Sequence, residues 1–359
     1  MTEKKKNKLL IFVSVLFSLG LIEIFYTIQI SFKTTDNSSE PGYLIYEQGK
    51  VFRNTERIVK YEPKKNILTK AFFFTKNQFK EAYSYEIKTN NFGLVQSNDL
   101  IKKKPSILFL GDSFTEGQGE EAWINKFGGN YNEFQIINGG ILATGPQQFE
   151  LMEKHVSNSF NIKKVVLLYI GHDIRRDPYN LSDQELACLK SYQNCNGKEI
   201  FFGFPIREQN PNFFLNQLRN KRIENHKELP LTTKLKKNVK KFFSNLYVIK
   251  IPLNFLREKF YKSKNIKIKK NIDALKSLHD KYGDDIIFIH LTTRNEILNG
   301  REYESSFAIN NILKFSNNHY FCDFENNLRY YNNFDNHPNK VGYNYLFNCV
   351  KQIMEDKIN

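Results

Sequence analysis

Pro105-Ser106-Ile107-Leu108-Phe109-Leu110-Gly111-Asp112-Ser113-Phe114-Thr115-Glu116-Gly117 is the stretch that decides the fold. Four consecutive apolar residues, Ile107–Leu110, run straight into Gly-Asp-Ser. A short unbroken apolar run bounded by turn residues has the look of a strand buried on both faces, as in a parallel sheet. The glycines permit a tight strand-to-helix turn, and a serine in that turn projects its hydroxyl at the edge of the sheet. Its backbone N–H then lies near the start of the next helix, where the dipole favours an anion.

Outward from this stretch the same pattern repeats. Phe134–Ile137, Val165–Ile170, Ile286–Leu291 and His319–Cys322 read as further strands, with the helix-length segments Gln147–Phe160 and Ile266–Tyr282 between them. Strands alternating with helices predict a three-layer α/β/α domain around a parallel five-stranded sheet, over residues 105–359. In such a sheet ligands bind beyond the carboxyl ends of the strands, where Ser113 falls. A serine hydroxyl is a weak nucleophile until a base takes its proton. Near the C-terminus stands Asp335-Asn336-His337-Pro338-Asn339-Lys340-Val341-Gly342-Tyr343, in a loop preceding a helix. There a carboxylate beside an imidazole would fix its tautomer and stabilise the imidazolium.

The two motifs together resemble the SGNH (GDSL-type) hydrolases, a superfamily of esterases, lipases and carbohydrate-active acyl transfer enzymes. The resemblance covers about residues 105–350. It is carried by Gly111, Asp112, Ser113, Thr115 and Gly117, and by the His-Pro-Asn-x-x-Gly that begins at His337. The preceding Lys88-Thr89-Asn90-Asn91-Phe92-Gly93 also looks like the lead-in of membrane-anchored bacterial members. It implies a flavodoxin-like hydrolase fold with Ser113 as nucleophile and His337 as base. Asp335 is the expected acid, with Asp323 second.

The resemblance further implies an oxyanion hole made by Ser113, Ala143 and His172. Asn138-Gly139-Gly140-Ile141-Leu142-Ala143-Thr144-Gly145-Pro146 places Ala143 where the family has glycine. A backbone N–H donates there, so alanine suffices unless the position needs positive φ. Gly171-His172-Asp173 places a histidine where the family has asparagine. A ring N–H can donate in its place, with a tautomer set by the other nitrogen. Phe334 stands where many members carry the acid of Asp-x-x-His, and Asp335 follows it. Asp112, Asp173 and Asp177 are expected to hold loops together. His155, His279 and His290 are expected to be ordinary surface or core residues.

The chain has 359 residues and a formal charge of +15. With 40% hydrophobic and 14% aromatic residues it can build a substantial core, which excludes wholesale disorder. The charge is local, since Arg219–Lys270 holds 17 Lys/Arg against the acids Glu224, Glu228 and Glu258. That segment reads as a solvated helical face, with contact to an anionic membrane surface next. Most of it falls in a basic, aromatic helical insertion over 204–262, which is read as a cap or lid. No zinc-finger spacing or RNA-binding aromatic signature accompanies it, so nucleic acid is not expected.

Lys4-Lys5-Lys6-Asn7-Lys8 precedes an apolar run from Leu9 to about Ile30, interrupted by Glu23 and Gln29. That length suits one transmembrane helix, and the basic cluster should stay in the cytoplasm, sending everything after residue 32 outward. A cleaved signal peptide is the rival, but no Ala-x-Ala-like site follows. Residues 1–32 are therefore read as a basic tail and anchor, and 33–104 as a linker and an N-terminal extension of strands and loops packed on the main domain. An exported domain can keep disulfides. Cys188 and Cys195 flank a short loop, while Cys322 and Cys349 flank the His337 motif. Either pair could be bridged, or all four thiols buried unpaired.

Together these features predict a serine esterase or O-acyltransferase in a single-pass membrane protein, with its catalytic domain periplasmic or extracellular. It would act on ester groups, O-acetyl among them, of a glycan or lipid, with no cofactor and no metal. Two alternatives stand beside it. One is a catalytically degenerate domain that binds a glycan or partner without turnover; the other is a membrane-anchored basic protein that binds anionic polymers through residues 219–270.

Overall fold

The computed structural model describes residues 43–46, 52–55, 58–75, 78–120, 122–176, 266–324, 327–333 and 335–358, with a few more between 200 and 220. The chain divides into two compact units. Pro41–Asn216 with Asn265–Asn359 forms one, and Met1–Glu40 with Gln217–Lys264 the other. Nearly all of the second unit lies outside the described residues, including the expected span Leu9–Ile30 and most of the insertion at 204–262. Cys188, Cys195 and Asp177 lie outside them too. Among the described residues no helix is long and apolar enough to cross a membrane.

The described strands of the first unit are β1 (Tyr43–Tyr46), β2 (Phe52–Thr55), β3 (Ile58–Tyr61), β4 (Asn66–Thr75), β5 (Gln78–Lys88), β6 (Pro105–Gly111), β7 (Gln135–Gly140), β8 (Asn161–Tyr169), β9 (Ile286–Leu291) and β10 (His319–Cys322), besides two-residue strands at 200–201 and 204–205. Its α-helices are α1 (Ser113–Glu116), α2 (Pro146–Ser157), α3 (Ile266–Tyr282), α4 (Arg294–Asn299), α5 (Tyr303–Ile312) and α6 (Lys340–Ile358). β6 to β10 form one sheet in the order β7-β6-β8-β9-β10, every pair parallel. Strand order reverses between β6 and β8, and such a switch point opens a crevice beyond the strands' carboxyl ends. Ser113 follows β6 directly, and Gly171–Arg175 follows β8.

Burial explains why these segments are strands. Ile107, Phe109, Val166, Leu168, Ile287 and Ile289 share one buried core with Trp123, Phe127, Tyr343, Leu346 and Val350. The alternate residues Leu108, Leu110, Val165, Leu167, Ile286 and Phe288 are equally inaccessible, so both faces are covered, as continuous apolar runs require. α2 packs on β6, β7 and β8, and α3 packs on α2 and β9.

Two strands differ from the sequence reading. β7 continues past the expected end at Ile137 to Gly140, because Asn138, Gly139 and Gly140 pair with Phe109, Leu110 and Gly111. β8 begins at Asn161, four residues early, because its polar first turns pair with Pro105 and Ser106 at the half-exposed end of the sheet. Before the parallel sheet, β1, β4 and β5 make an antiparallel sheet and β2 with β3 a hairpin. Both belong to the same compact unit as the parallel sheet. Cys322 at the end of β10 is joined to Cys349 in α6, with Cα atoms 5.9 Å apart. The bridge ties together the two elements on either side of the His337 loop.

Candidate active site

The turn after β6 is built by its own residues. Gly111 ends the strand where a side chain cannot fit: a Cβ there would lie 2.0 Å from Thr115 Oγ1 and 2.6 Å from the Leu168 carbonyl oxygen. Asp112 then caps α1, its Oδ1 accepting from the Phe114 N–H at 2.9 Å. Ser113 is the first residue of this one-turn helix, so its N–H belongs to the group that helix geometry leaves without an intrahelical acceptor.

His337 arrives from 224 residues away. Its Nε2 lies 2.8 Å from Ser113 Oγ, and its Nδ1 3.0 Å from Asp335 Oδ2. Asp335 Oδ1 accepts from the His337 backbone N–H at 3.0 Å, which closes the two-residue spacing into a rigid turn. Gly342 lets α6 begin against this loop, since a Cβ there would sit 2.2 Å from the Tyr330 carbonyl oxygen. The carboxylate accepts a hydrogen bond from Nδ1–H, leaving Nε2 to accept from the serine hydroxyl. Burial alone would pull the imidazole down, but the charge and hydrogen bond of Asp335 lift it above its ordinary value. Burial would likewise push Asp335 up, and the charge and hydrogen bond of His337, with the Tyr83 hydroxyl, hold it below the usual range.

Tyr83 was not legible as a site residue. It lies on β5, and its hydroxyl donates to Asp335 Oδ2 at 2.6 Å. Gln118 Nε2 donates to the Tyr83 hydroxyl at 3.2 Å, and the Gln118 carbonyl accepts from Tyr343. The acid is thus braced by the N-terminal extension and by the residue after the Gly-Asp-Ser block. The only sequence signal was the alternation at Tyr83–Lys88, which marks a strand but not what its tyrosine touches. Tyr83 also lines a polar cavity of about 440 Å³ with Glu86, Glu120, Asn125 and Asn332 among others. Asp323, the second choice for the acid, is instead paired with Arg301 and accepts from Thr292.

Ala143 stands exposed in the loop after β7, with φ +56°. This is the positive φ at which glycine is free and alanine is strained. The loop is held from three sides. Leu142 N–H donates to Glu116 Oε2 at 2.6 Å, and Thr144 Oγ1 donates to the Ile141 and Gly111 carbonyls. Arg176 Nη1 donates to the Thr144 carbonyl at 2.8 Å. The same Nη1 meets Asp112 Oδ2 at 2.8 Å and Asp173 Oδ1 at 2.6 Å. One guanidinium therefore joins the turns after β6, β7 and β8, and the loop-holding role expected of Asp112 and Asp173 runs through it. Burial and the neighbouring Asp112 push Asp173 well above the carboxylate range. The Arg175-Arg176 pair downstream of Gly-His-Asp gave no sign of this.

Glu116 is buried, with Oε1 accepting from the Tyr61 hydroxyl at 2.7 Å and Oε2 from Leu142. Burial pushes its carboxyl up to about 7, against those two hydrogen bonds; Asp112 adds repulsion and His337 attraction.

His172 is not brought to the Ser113–His337–Asp335 group by any described contact. Its Nε2 faces Glu302 Oε2 at 3.1 Å, and this hydrogen bond holds Glu302 below its ordinary value. A neutral ring that donates from Nε2 carries a lone pair on Nδ1, so a second donation requires the imidazolium. Among the described residues no group of three or more His, Cys, Asp or Glu side chains is placed to hold a metal ion.

No protein-family model matches the chain, and neither does any curated protein. Several solved structures are similar at low identity. One is a lipase/acylhydrolase from Enterococcus faecalis, 11% identical, with TM-score 0.36, matched over 71% of this chain and 96% of its own. Another is a GDSL-like lipase from Bacteroides thetaiotaomicron, 14% identical, with TM-score 0.31, over 70% and 88%. A third is a carbohydrate esterase whose active site displays divergent catalytic and non-catalytic binding functions, 12% identical, with TM-score 0.30, over 87% and 97%. Likeness this distant carries no function by itself. The class defined here by fold and site is an α/β domain with a serine–histidine–aspartate relay at the switch point of a parallel sheet.

Proposed function

We propose that this chain is a serine esterase or O-acyltransferase working through an acyl-enzyme on Ser113. The relay of Ser113 Oγ, His337 and Asp335, linked at 2.8 and 3.0 Å, carries this reading. Ser113 Oγ attacks the ester carbonyl as its proton passes to His337 Nε2, and Asp335 stabilises the imidazolium. The carbonyl oxygen becomes an oxyanion facing the Ser113 and Ala143 N–H groups. The proton on Nε2 then goes to the departing alkoxide. Water, or a sugar hydroxyl, gives its proton to His337 Nε2 and attacks the acyl carbonyl. The acyl–Oγ bond then breaks, the proton on Nε2 returns to Ser113 Oγ, and the acyl group departs as free acid or as a new ester. No cofactor enters these steps.

A glycan ester is favoured over a lipid by the cavity beside Tyr83, whose carboxylates and amides suit sugar hydroxyls and whose tyrosine rings suit sugar faces. The Asn125 Oδ1 atom is buried there without a hydrogen-bond partner among the described residues. Export behind an anchor at Leu9–Ile30 is part of the same proposal, supported by Lys4–Lys8 ahead of the apolar run.

Purified wild type should hydrolyse 4-nitrophenyl acetate, and Ser113→Ala should lose at least about a thousandfold in kcat while keeping its fold. Undiminished turnover by folded Ser113→Ala would remove the nucleophile. An inactive wild type that still binds glycan would favour a degenerate, binding-only domain.

A further inference from the structure

We infer that Glu116 is a positioning residue for the oxyanion loop, tying the helix that carries Ser113 to the loop that carries Ala143. The inference rests on the esterase reading and goes beyond it by assigning a role to a side chain that has no part in the proton relay. Glu116 is three residues from Ser113 on the same helical turn, so its carboxylate moves with the nucleophile. Its bond to the Leu142 N–H fixes the residue immediately before Ala143. The approach is close: a Cβ on Gly140, at the end of β7, would lie 2.5 Å from the Glu116 backbone nitrogen.

The loop needs such a hold. An alanine at φ +56° is biased toward other backbone conformations, and escape would swing its N–H away from the reacting oxygen. The second carboxylate oxygen is held by Tyr61, fully buried on β3, which sets the rotamer that reaches Leu142. A carboxyl buried this deeply is a poor choice for filling space, because an amide or apolar residue would avoid the desolvation cost. Two donors converging on it, one from each structure it joins, are what a clamp requires. The N-terminal extension thereby reaches the active site twice, through Tyr61 to Glu116 and through Tyr83 to Asp335.

The test pairs a structural readout with a kinetic one on the full chain. Amide hydrogen exchange is followed in peptides spanning 138–145, and turnover is measured with 4-nitrophenyl acetate. In Glu116→Ala these amides should exchange about tenfold faster, and kcat should fall roughly 30- to 100-fold with KM within about twofold, somewhat less than the roughly hundred- to thousandfold of deleting an oxyanion donor outright, because the N–H is loosened and not removed. Glu116→Gln, whose carbonyl can still accept from Leu142, should lose only about two- to fivefold, and serves if the alanine variant does not fold. Adding Ala143→Gly to Glu116→Ala should restore part of kcat, because glycine has no bias against positive φ. Unchanged exchange in folded variants overturns the clamp. So does faster exchange with kcat unchanged. If wild type shows no Ser113-dependent turnover, the esterase reading fails, and exchange alone still decides whether Glu116 holds the loop.

Discussion

Asp335 and Glu116 are two buried carboxyls built from the same parts with opposite results. Each accepts from one backbone N–H, that of His337 or Leu142, and from one tyrosine of the N-terminal extension, Tyr83 or Tyr61. Yet Asp335 is held below its ordinary value while Glu116 is pushed up to about 7. Burial raises both, and hydrogen bonds lower both. What differs is the imidazole against Asp335, whose charge and added hydrogen bond, together with the hydrogen bonds of Tyr83 and the backbone, outweigh desolvation. Glu116 has two hydrogen bonds, the like charge of Asp112 and only a smaller attraction from His337. One carboxyl is thus kept as an anion beside a base, and the other sits near its midpoint at neutral pH. An imidazole in direct contact separates a relay acid from a clamp.

The sharpest way to break this comparison is the same substitution at both sites, carboxyl to amide. Asp335→Asn leaves the shape but reverses the tautomer preference of His337, and kcat should fall about ten-thousandfold. Glu116→Gln should lose only the few-fold already stated. Equal losses at the two positions in esterase assays would erase the distinction.

A third pair of buried acids, Asp112 and Asp173, extends the comparison to carboxyls held by an arginine. Arg176→Met would leave both without their cation, and chemical denaturation should show about 3–5 kcal/mol less stability, the scale for breaking a buried ion pair. A change below about 1 kcal/mol would show that Arg176 only decorates the crevice.

Much of this architecture was legible in the sequence, and the boundary has a physical cause. Ile107–Leu110 and Ile286–Leu291 declared themselves because strands buried on both faces must be apolar throughout. Ser113, His337 and Asp335 sat in short blocks whose spacing is local. Tyr61, Tyr83 and Arg176 could not be found this way, because each works through contacts distant in sequence and lies in no motif. His172 shows the reverse: its place in the block was readable, but its partner, Glu302, lies 130 positions further along the chain. The choice among cysteine pairings stayed open for the same reason until Cys322 and Cys349 were seen side by side.

The pH dependence of stability separates the two carboxyls by sign. Glu116 is raised, so the stability it contributes is full below the ordinary glutamate value and is lost as pH rises through about 7. Asp335 is lowered, so its contribution is present above the ordinary aspartate value and lost as pH falls through its folded value. His337 is raised, and its contribution is lost as pH rises through its folded value. Wild type should therefore gain stability relative to Glu116→Gln as pH drops from about 8 to about 5, in thermal melts over that range. A difference that is flat with pH would place Glu116 outside the buried environment described.

The smallest effect expected is from the tyrosine that braces the acid. Tyr83→Phe removes one hydrogen bond to a carboxylate that keeps its imidazole, and should cost about 1–2 kcal/mol of stability. Asp335 should titrate at a higher pH, so the loss of stability on acidification should set in earlier, read from thermal melts over an acid pH series. An unshifted profile would confine Tyr83 to packing.

The central claim is that His337, oriented by Asp335, activates Ser113. Mass spectrometry after reaction with a fluorophosphonate tests it most directly. One adduct should appear on the peptide that carries Ser113, forming faster as pH rises past the ordinary imidazole value of about 6.5, and it should be lost in a folded His337→Ala variant. No adduct on folded wild type, or one formed at an undiminished rate without His337, would contradict the account.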